Sequence, residues 1–342
     1  MWPRCLLPVA LAVFCTSLDA QQSPAQGSRR VTLDVVVNDK SGDPVAGLQR
    51  QDFTVLDNKQ PQKILSFASA GPESDLEIVL VLDAANTSFR HVAYARKELD
   101  TFLRQDGGRL ARPTSMAIFT DTAGIEIQSP PSRNGNALAA YLDQHETGLR
   151  VSNRSQGLYG AADRAQFSLR ALQQLAAYEQ HRPGRKLVVW LSPGWALLSG
   201  PRFQYTAKDQ ESVYKTIVSI SAQLRQARIT LYAVDPLGTT DTGGLRTIYY
   251  ENFLKPVTTQ TQIQYGDLGL QVFAVHTGGR VLTSTNDIAG EIERCVLDAN
   301  AYYVLSFDAP PAEHPNFYNS IEVKLSQPQL KARTLAGFYT QP

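Results

Sequence analysis

The chain has 342 residues, 43% of them hydrophobic and 19% charged, and Lys+Arg 33 against Asp+Glu 32 leaves a net charge of +1. That balance fits a folded globular body and excludes a disordered or collagen-like chain. It also excludes the basic surface of a nucleic-acid binder, and beyond the amino terminus no apolar run reaches the roughly 20 residues that cross a bilayer.

Residues 1–20 read as a secretory signal: Arg4, then the apolar run Cys5–Thr16, then a small residue, Ala20, at the cleavage point. Phe14 before Cys15 argues against a lipoprotein signal. The expected product is exported, periplasmic or extracellular. Cleavage removes Cys5 and Cys15 and leaves Cys295 alone, so no internal disulfide is expected and Cys295 reads as a buried filler.

Residues 21–30 read as a disordered leader. From Val31 the apolar positions Val31, Leu33, Val35 and Val37 alternate, predicting a strand with one buried face. Short strands around Phe53, Val55 and 63–67 follow without an intervening helix, which makes 31–70 an antiparallel β segment. At Leu76 strands and helices begin to alternate. Buried strands are predicted at 78–82, 115–120, 186–191 and 229–234, with shorter ones at 125–127 and 280–282. Helices are predicted at 88–103 (with Phe89, Val92, Leu99, Phe102 and Leu103 on the apolar stripe), 157–179, 209–227, 267–276 and 286–299, the last capped by Asn286 or Thr285. Residues 236–266 show no period. After Asn300 strands return at 302–307, 321–325 and 334–339.

The fold class is therefore α/β: a doubly wound, mostly parallel sheet over 75–300, flanked by a 31–70 and a 301–342 β segment. Each flank alone is a three-strand layer with an uncovered apolar face, so the two are expected to pack together as one β-sandwich.

Ligands of such a sheet bind beyond the carboxyl ends of its strands. The residues there are Asp83-Ala84-Ala85-Asn86-Thr87, Thr120-Asp121, Ser192-Pro193-Gly194 and Asp235-Pro236. No Gly occurs at 83–88 and no Walker-type Gly-Lys-Ser/Thr occurs anywhere, which excludes the common nucleotide sites. Asn86-Thr87-Ser88 and Asn153-Arg154-Ser155 match the glycosylation sequon, which we read as coincidence.

A buried strand ending in Asp83, with Thr87 four residues on, resembles the opening of a von Willebrand factor A domain, Asp-x-Ser-x-Ser. A closer likeness is to the bacterial von Willebrand factor A-related family described chiefly from acidobacteria, in which β segments lead and trail the A-type domain. The residues that carry it are Val31–Val37, Gly47-Leu48, Asp52-Phe53, Leu82–Thr87, Pro183–Lys186, Thr277–Arg280, Ala301–Phe307 and Gly337–Tyr339, spread over 31–340. In the A-domain family two Asp, two Ser and a Thr surround a divalent cation, usually Mg²⁺, which takes about six oxygens. Here the resemblance places Asp83 and Thr87 at two of those positions. Ala85 and Ser192 stand at a Ser and the late Asp, and Ser152 or Ser155 would have to supply the Thr loop. The implied adhesion site is degenerate, and no tightly bound cofactor is expected. An adhesin holding Mg²⁺ through Asp83 and Thr87, with Asp121 as a further ligand, is the alternative. Without metal, Asp83 is expected to cap the next helix or bond the loop backbone, and Asn86 to help fix that turn.

A serine hydrolase using Ser192, Asp235 and His276 is a further alternative, because these follow the chain order of an α/β-hydrolase. Against it, Trp190 stands where the nucleophile elbow needs its first Gly. Pro193 also lacks the N–H that the oxyanion hole requires. The scattered His residues include no His-x-x-x-His pair for zinc. The aromatics Tyr249, Tyr250, Phe253 and Tyr265 serve either as partner anchors or as loop fasteners. The reading that results is a non-enzymatic interaction module with a protein or cell-envelope partner, no nucleic acid and no transmembrane anchor. Its binding residues are Asp83, Asn86, Thr87, Thr120, Asp121 and Ser192.

Overall fold

Leu76–Asp83 (β5) is buried at every position, and the reason lies in its alternation. Val79 and Val81 face one apolar cluster while Ile78, Leu80 and Leu82 face another, so the strand needs cover on both sides. The computed structural model describes residues 29–71, 74–145, 158–195, 206–237, 251–261, 263–283, 285–311 and 314–340. The proposed signal peptide, the leader up to residue 28, Ser152, Ser155, Tyr249 and Tyr250 lie outside them; the last leader residue, Arg30, is not disordered but opens the strand Arg30–Asn38, where it pairs with Asp308.

The central sheet comprises β5, β6 (Arg109–Thr120), β7 (Gly124–Ile127), β8 (Ser132–Asn134), β9 (Arg185–Leu191), β10 (Ile229–Val234) and β11 (Val281–Leu282). Its order is β11-β10-β9-β5-β6-β7, with β8 also on β6. All pairs from β11 to β6 are parallel, and β7 and β8 run antiparallel to β6. The chain moves from β5 outward to β6, then returns to the other side of β5 as β9. The order thus reverses between β5 and β9, the crevice where open α/β sheets take ligands.

Helices α3 (Leu158–Gln180), α4 (Ala207–Gln226) and α5 (Leu270–His276) cover the face of Val79 and Val81. On the opposite face lie α1 (Phe89–Arg104), α2 (Gly135–Gln144) and α6 (Ile288–Leu297). Helix α4 is well capped: Thr206 Oγ1 accepts from Asp209 N while the Asp209 carboxylate accepts from Thr206 N. After α3 the chain turns at Gly184 with φ +80°, where a Cβ would meet the Asp75 carbonyl oxygen at 2.4 Å, so only glycine suits this entry into β9.

The β-sandwich contains strands from both flanks in each of its sheets. One sheet runs β14-β1-β12-β4, with β1 Arg30–Asn38, β4 Ser66–Ala70, β12 Tyr302–Asp308 and β14 Lys331–Arg333. The other runs β15-β13-β2-β3, with β2 Phe53–Asp57, β3 Gln60–Gln62, β13 Tyr318–Leu325 and β15 Gly337–Tyr339. Leu33, Val35, Phe53, Val55, Tyr303 and Leu305 meet in its core. On β1 the expected face, Val31 to Val37, is buried there, but Val36 on the opposite face is buried too, because it packs into the central-sheet cluster.

Several local expectations need correction. The strand expected at 334–339 is confined to β15, Gly337–Tyr339, which pairs with β13, while the residues just before it, Lys331–Arg333, form β14 and pair with β1 in the other sheet. The 267–276 helix is a 3-10 turn, Tyr265–Leu268, followed by α5. The cap of α6 is Asp287, whose side chain accepts from Gly290 N, and Thr285 instead accepts from Asp287 N. Phe89 is 62% exposed, standing at the first residue of α1 rather than on its buried stripe. Helix α2 had no sequence signal because only four of its positions, Gly135, Leu138, Ala139 and Leu142, are buried. Phe253 packs into the core as a loop fastener, and Tyr265 is partly buried beside it. Cys295 is buried and free.

Candidate functional site

Asp83 is the last residue of β5 and is fully buried. Strand β9 lies beside it, and because alternate residues share a face, Trp190 and Ser192 both point to Asp83. The Ser192 hydroxyl donates to Asp83 Oδ2 at 2.7 Å, and Trp190 Nε1 donates to the same oxygen at 3.2 Å. From the turn that follows β5, Asn86 N donates to Oδ1 at 2.8 Å and Asn86 Nδ2 to Oδ2 at 2.9 Å. Asn86 Nδ2 also lies 2.9 Å from Ser168 Oγ on α3, and Ser168 passes its own proton to the Arg164 carbonyl at 2.8 Å. Gly194, with φ +87°, turns its N–H back onto Ser192 Oγ at 3.2 Å.

The result is a closed polar knot across β5, β9 and α3. Burial pushes the Asp83 carboxyl above the usual range, and the donors from Asn86, Ser192 and Trp190 pull it back only in part. Asp83 bonds the loop backbone rather than capping α1, whose N-cap position is Ser88. Thr87 is also buried, and its Oγ1 has no hydrogen-bond partner.

Thr120 and Asp121 do not join the knot. They form the β6–β7 turn, where Thr120 Oγ1 accepts from Ala123 N at 3.1 Å, and both are partly exposed. So the six binding candidates divide into two groups. Asp83, Thr87 and Ser192 are buried; Asn86, Thr120 and Asp121 reach the surface. Trp190 and Ser168 are the members that sequence reasoning missed. Trp190 had a signal, its position two residues before Ser192 on one strand, whereas nothing marked Ser168, 82 residues beyond Asn86.

The donor set bears on a cation. Both Asp83 oxygens already accept N–H or O–H donors, Ala85 has no side-chain oxygen, and Ser192 Oγ already accepts from Gly194 N while it donates to Asp83. Among the described residues no group of three or more His, Cys, Asp or Glu is placed to hold a metal ion. The unpartnered Thr87 hydroxyl is the one feature that favours a ligand there.

The hydrolase constellation is not assembled. Ser192 gives its proton to Asp83 rather than to a histidine. Asp235 Oδ1 accepts from Leu237 N, two residues on. His276 accepts from Val257 N through Nε2 at 3.1 Å, and it lines a cavity with Arg228 and Ile229 at the amino end of β10. Ser192 N pairs with Val234 O at the other end of that strand. Burial lowers the His276 pKa to about 4, which keeps the ring neutral.

No protein-family model matches the chain, and no curated protein matches it. Solved structures do. An aerotolerance-related membrane protein from Bacteroides fragilis is 13% identical with a TM-score of 0.35, covering 65% of this chain and 98% of that one. Manganese-loaded TRAP protein from Plasmodium vivax is 9% identical with a TM-score of 0.36, covering 80% of this chain and 97% of the other. Proximal thread matrix protein 1 from the mussel byssus, with a zinc-occupied MIDAS motif, is 12% identical with a TM-score of 0.37 over 69% of this chain. The match spans about half of the mussel protein, 49%. The fold and the site are both read from this chain's own residues. By strand order the fold is a doubly wound, mostly parallel α/β sheet with a β-sandwich built from its flanks, as expected.

Proposed function

We propose that this chain is an exported, non-enzymatic interaction module of the von Willebrand factor A-related type described chiefly from acidobacteria. Its contact surface is the rim at the carboxyl ends of the A-type sheet. The observation that carries this reading is the knot at the β5/β9 switch point. There the polar groups satisfy one another, and among the described residues no histidine joins Ser192 and Asp83. What such a centre does well is hold a rim rigid, and of the six binding candidates Asn86, Thr120 and Asp121 reach solvent on that rim. Order and spacing of the motifs over 31–340 support the family; residues 1–20 support export. Among the described residues no helix is long and apolar enough to cross a membrane. The partner is a protein or a cell-envelope component, and binding does not depend on a tightly held cation.

The test is retention of an envelope partner by the immobilised full chain, with and without EDTA. Equal retention in both, lost in Asn86→Arg or Asp121→Arg, is the expected result. Turnover of a substrate abolished by Ser192→Ala overturns the non-enzymatic reading. The second reading, Mg²⁺ held by Asp83 and Thr87, is favoured by the orphan Thr87 hydroxyl. Calorimetry with Mg²⁺, Mn²⁺ and Ca²⁺ decides between them: a heat of binding that Asp83→Ala abolishes establishes the metal-dependent form.

A further inference from the structure

At the amino end of β10, remote from Asp83, a cavity of about 290 Å³ lies between the α/β body and the β-sandwich. That volume is near the lower end of the roughly 300–1,000 Å³ range of small-molecule sites. Ile229 and Thr230 of β10 meet Ser221 and Arg225 of α4 on one side, and β1 together with Leu335 and Phe338 closes the other.

Counting charges narrows the ligand. Three guanidinium groups line the cavity, those of Arg30, Arg225 and Arg228, against one carboxylate, Asp34. Arg228 pairs with Asp34 at 2.5 Å, and Arg30 pairs with Asp308 at 2.6 Å. Arg225 has no acid and no hydrogen-bond acceptor among the described residues; its guanidinium carbon stands 5.9 Å from the centroid of the Phe338 ring. With no acid to offset burial, the Arg225 pKa is drawn below its ordinary value. The cavity is therefore one positive charge in excess.

Around that charge sit polar atoms that nothing among the described residues satisfies. Ser221 Oγ, Arg228 Nε and His276 Nδ1 are buried without partners, and His276 is only 3% exposed. Buried polar groups in folded proteins are nearly always hydrogen-bonded, so three orphans on one cavity point to a ligand that completes them. Ile229, Leu335 and Phe338 add apolar lining to the same cavity.

We propose that this cavity binds a small organic monocarboxylate, its charge held by Arg225 and its apolar body laid against Phe338, Leu335 and Ile229. One excess charge matches a monoanion, and the apolar lining selects against an ion that is polar all round. The site is separate from the sheet rim and stands whether or not the rim binds a partner.

The test is calorimetric titration of the full chain with benzoate, isovalerate, neutral benzamide and inorganic phosphate. Benzoate or isovalerate binding at least tenfold tighter than benzamide or phosphate is expected. Arg225→Met should weaken the carboxylate at least tenfold, while Arg225→Lys, which keeps the charge, should retain most of the binding. Circular dichroism confirms that each variant is folded. The comparison among ligands is made on the unaltered chain, so it decides even if Arg225→Met does not fold. No heat with either carboxylate, equal binding of benzamide, tighter binding of phosphate, or a folded Arg225→Met that binds as before overturns the proposal.

Discussion

The hydroxyl of Ser192, at the exit of β9, donates to Asp83 Oδ2, at the end of β5, across 2.7 Å. These are the two neighbouring strands between which the sheet reverses its order. The position that α/β sheets commonly leave open for a ligand is here closed by the chain's own hydrogen bonds.

Replacing Asp83 by Asn tests that closure. A carboxylate only accepts, whereas the amide must turn its NH₂ towards donors from Trp190, Ser192 or Asn86. We expect a loss of about 1–3 kcal/mol, read as a lower urea midpoint. Ser192→Ala should cost less, because Trp190 and Asn86 still donate to the same oxygen. An unchanged midpoint for Asp83→Asn would show that the knot contributes nothing.

The cation question can be put to the chain by rebuilding the family's ligands. Ser192→Asp sets a second carboxylate beside Asp83, and like charges so close repel. The variant should melt lower than the parent in EDTA. Combined with Ala85→Ser it should gain about 1.4 kcal/mol for each tenfold excess of Mg²⁺ over its dissociation constant. The unaltered chain should show no Mg²⁺-dependent melting shift; a clear one in thermal melts would favour the metal-binding reading.

Asp298 fastens the α/β body to the sandwich. It accepts from Tyr232 at 2.7 Å and Arg280 at 3.2 Å within the body, and it pairs with Arg333 of β14. Burial would raise its pKa, but Arg333 and then Arg280 hold the carboxyl below its ordinary 3.8. A depressed folded pKa means that its contribution is complete above about 3.8 and is lost as pH falls through the lower folded value. Asp298→Asn leaves two cations without their acid and should cost about 3–5 kcal/mol at neutral pH. Chemical denaturation should show that deficit shrinking in strong acid.

Glu179 supplies the opposite sign. Burial, then the nearby Glu77, raises its pKa from 4.5 to about 7, although Arg182 lies 3.6 Å away. Between those two values the folded chain keeps a proton that the unfolded chain has released, so this residue lowers stability as pH rises from 4.5 to about 7. Glu179→Gln should remove that decline. Denaturant midpoints at pH 5 and pH 8 should lie closer together in the variant than in the parent, and an unchanged gap would refute the assignment.

The expectations that held were those resting on local periodicity. The uninterrupted apolar runs of β5, β9 and β10 imply strands covered on both faces, and each is buried throughout. Two short β flanks with exposed apolar faces imply a shared sandwich for the same reason, that apolar surface must leave water. Asp83 and Ser192 were legible as strand exits. Helix α2, with few buried side chains, and the assignment of β14 and β15 to different sheets, which depends on pairing, were not.

Composition and periodicity therefore determined the long buried strands, most of the long helices and which residues stand at the sheet's carboxyl ends, because each is set by neighbours a few positions apart. Only the folded chain decided that Asp83 meets Ser192, 109 residues on, and that Asn86 reaches Ser168. It alone placed Arg225 of α4 beside Phe338 of β15 without an acid. These pairings follow from strand order and from how one layer seats on another, and no local pattern of apolar and polar residues carries that information.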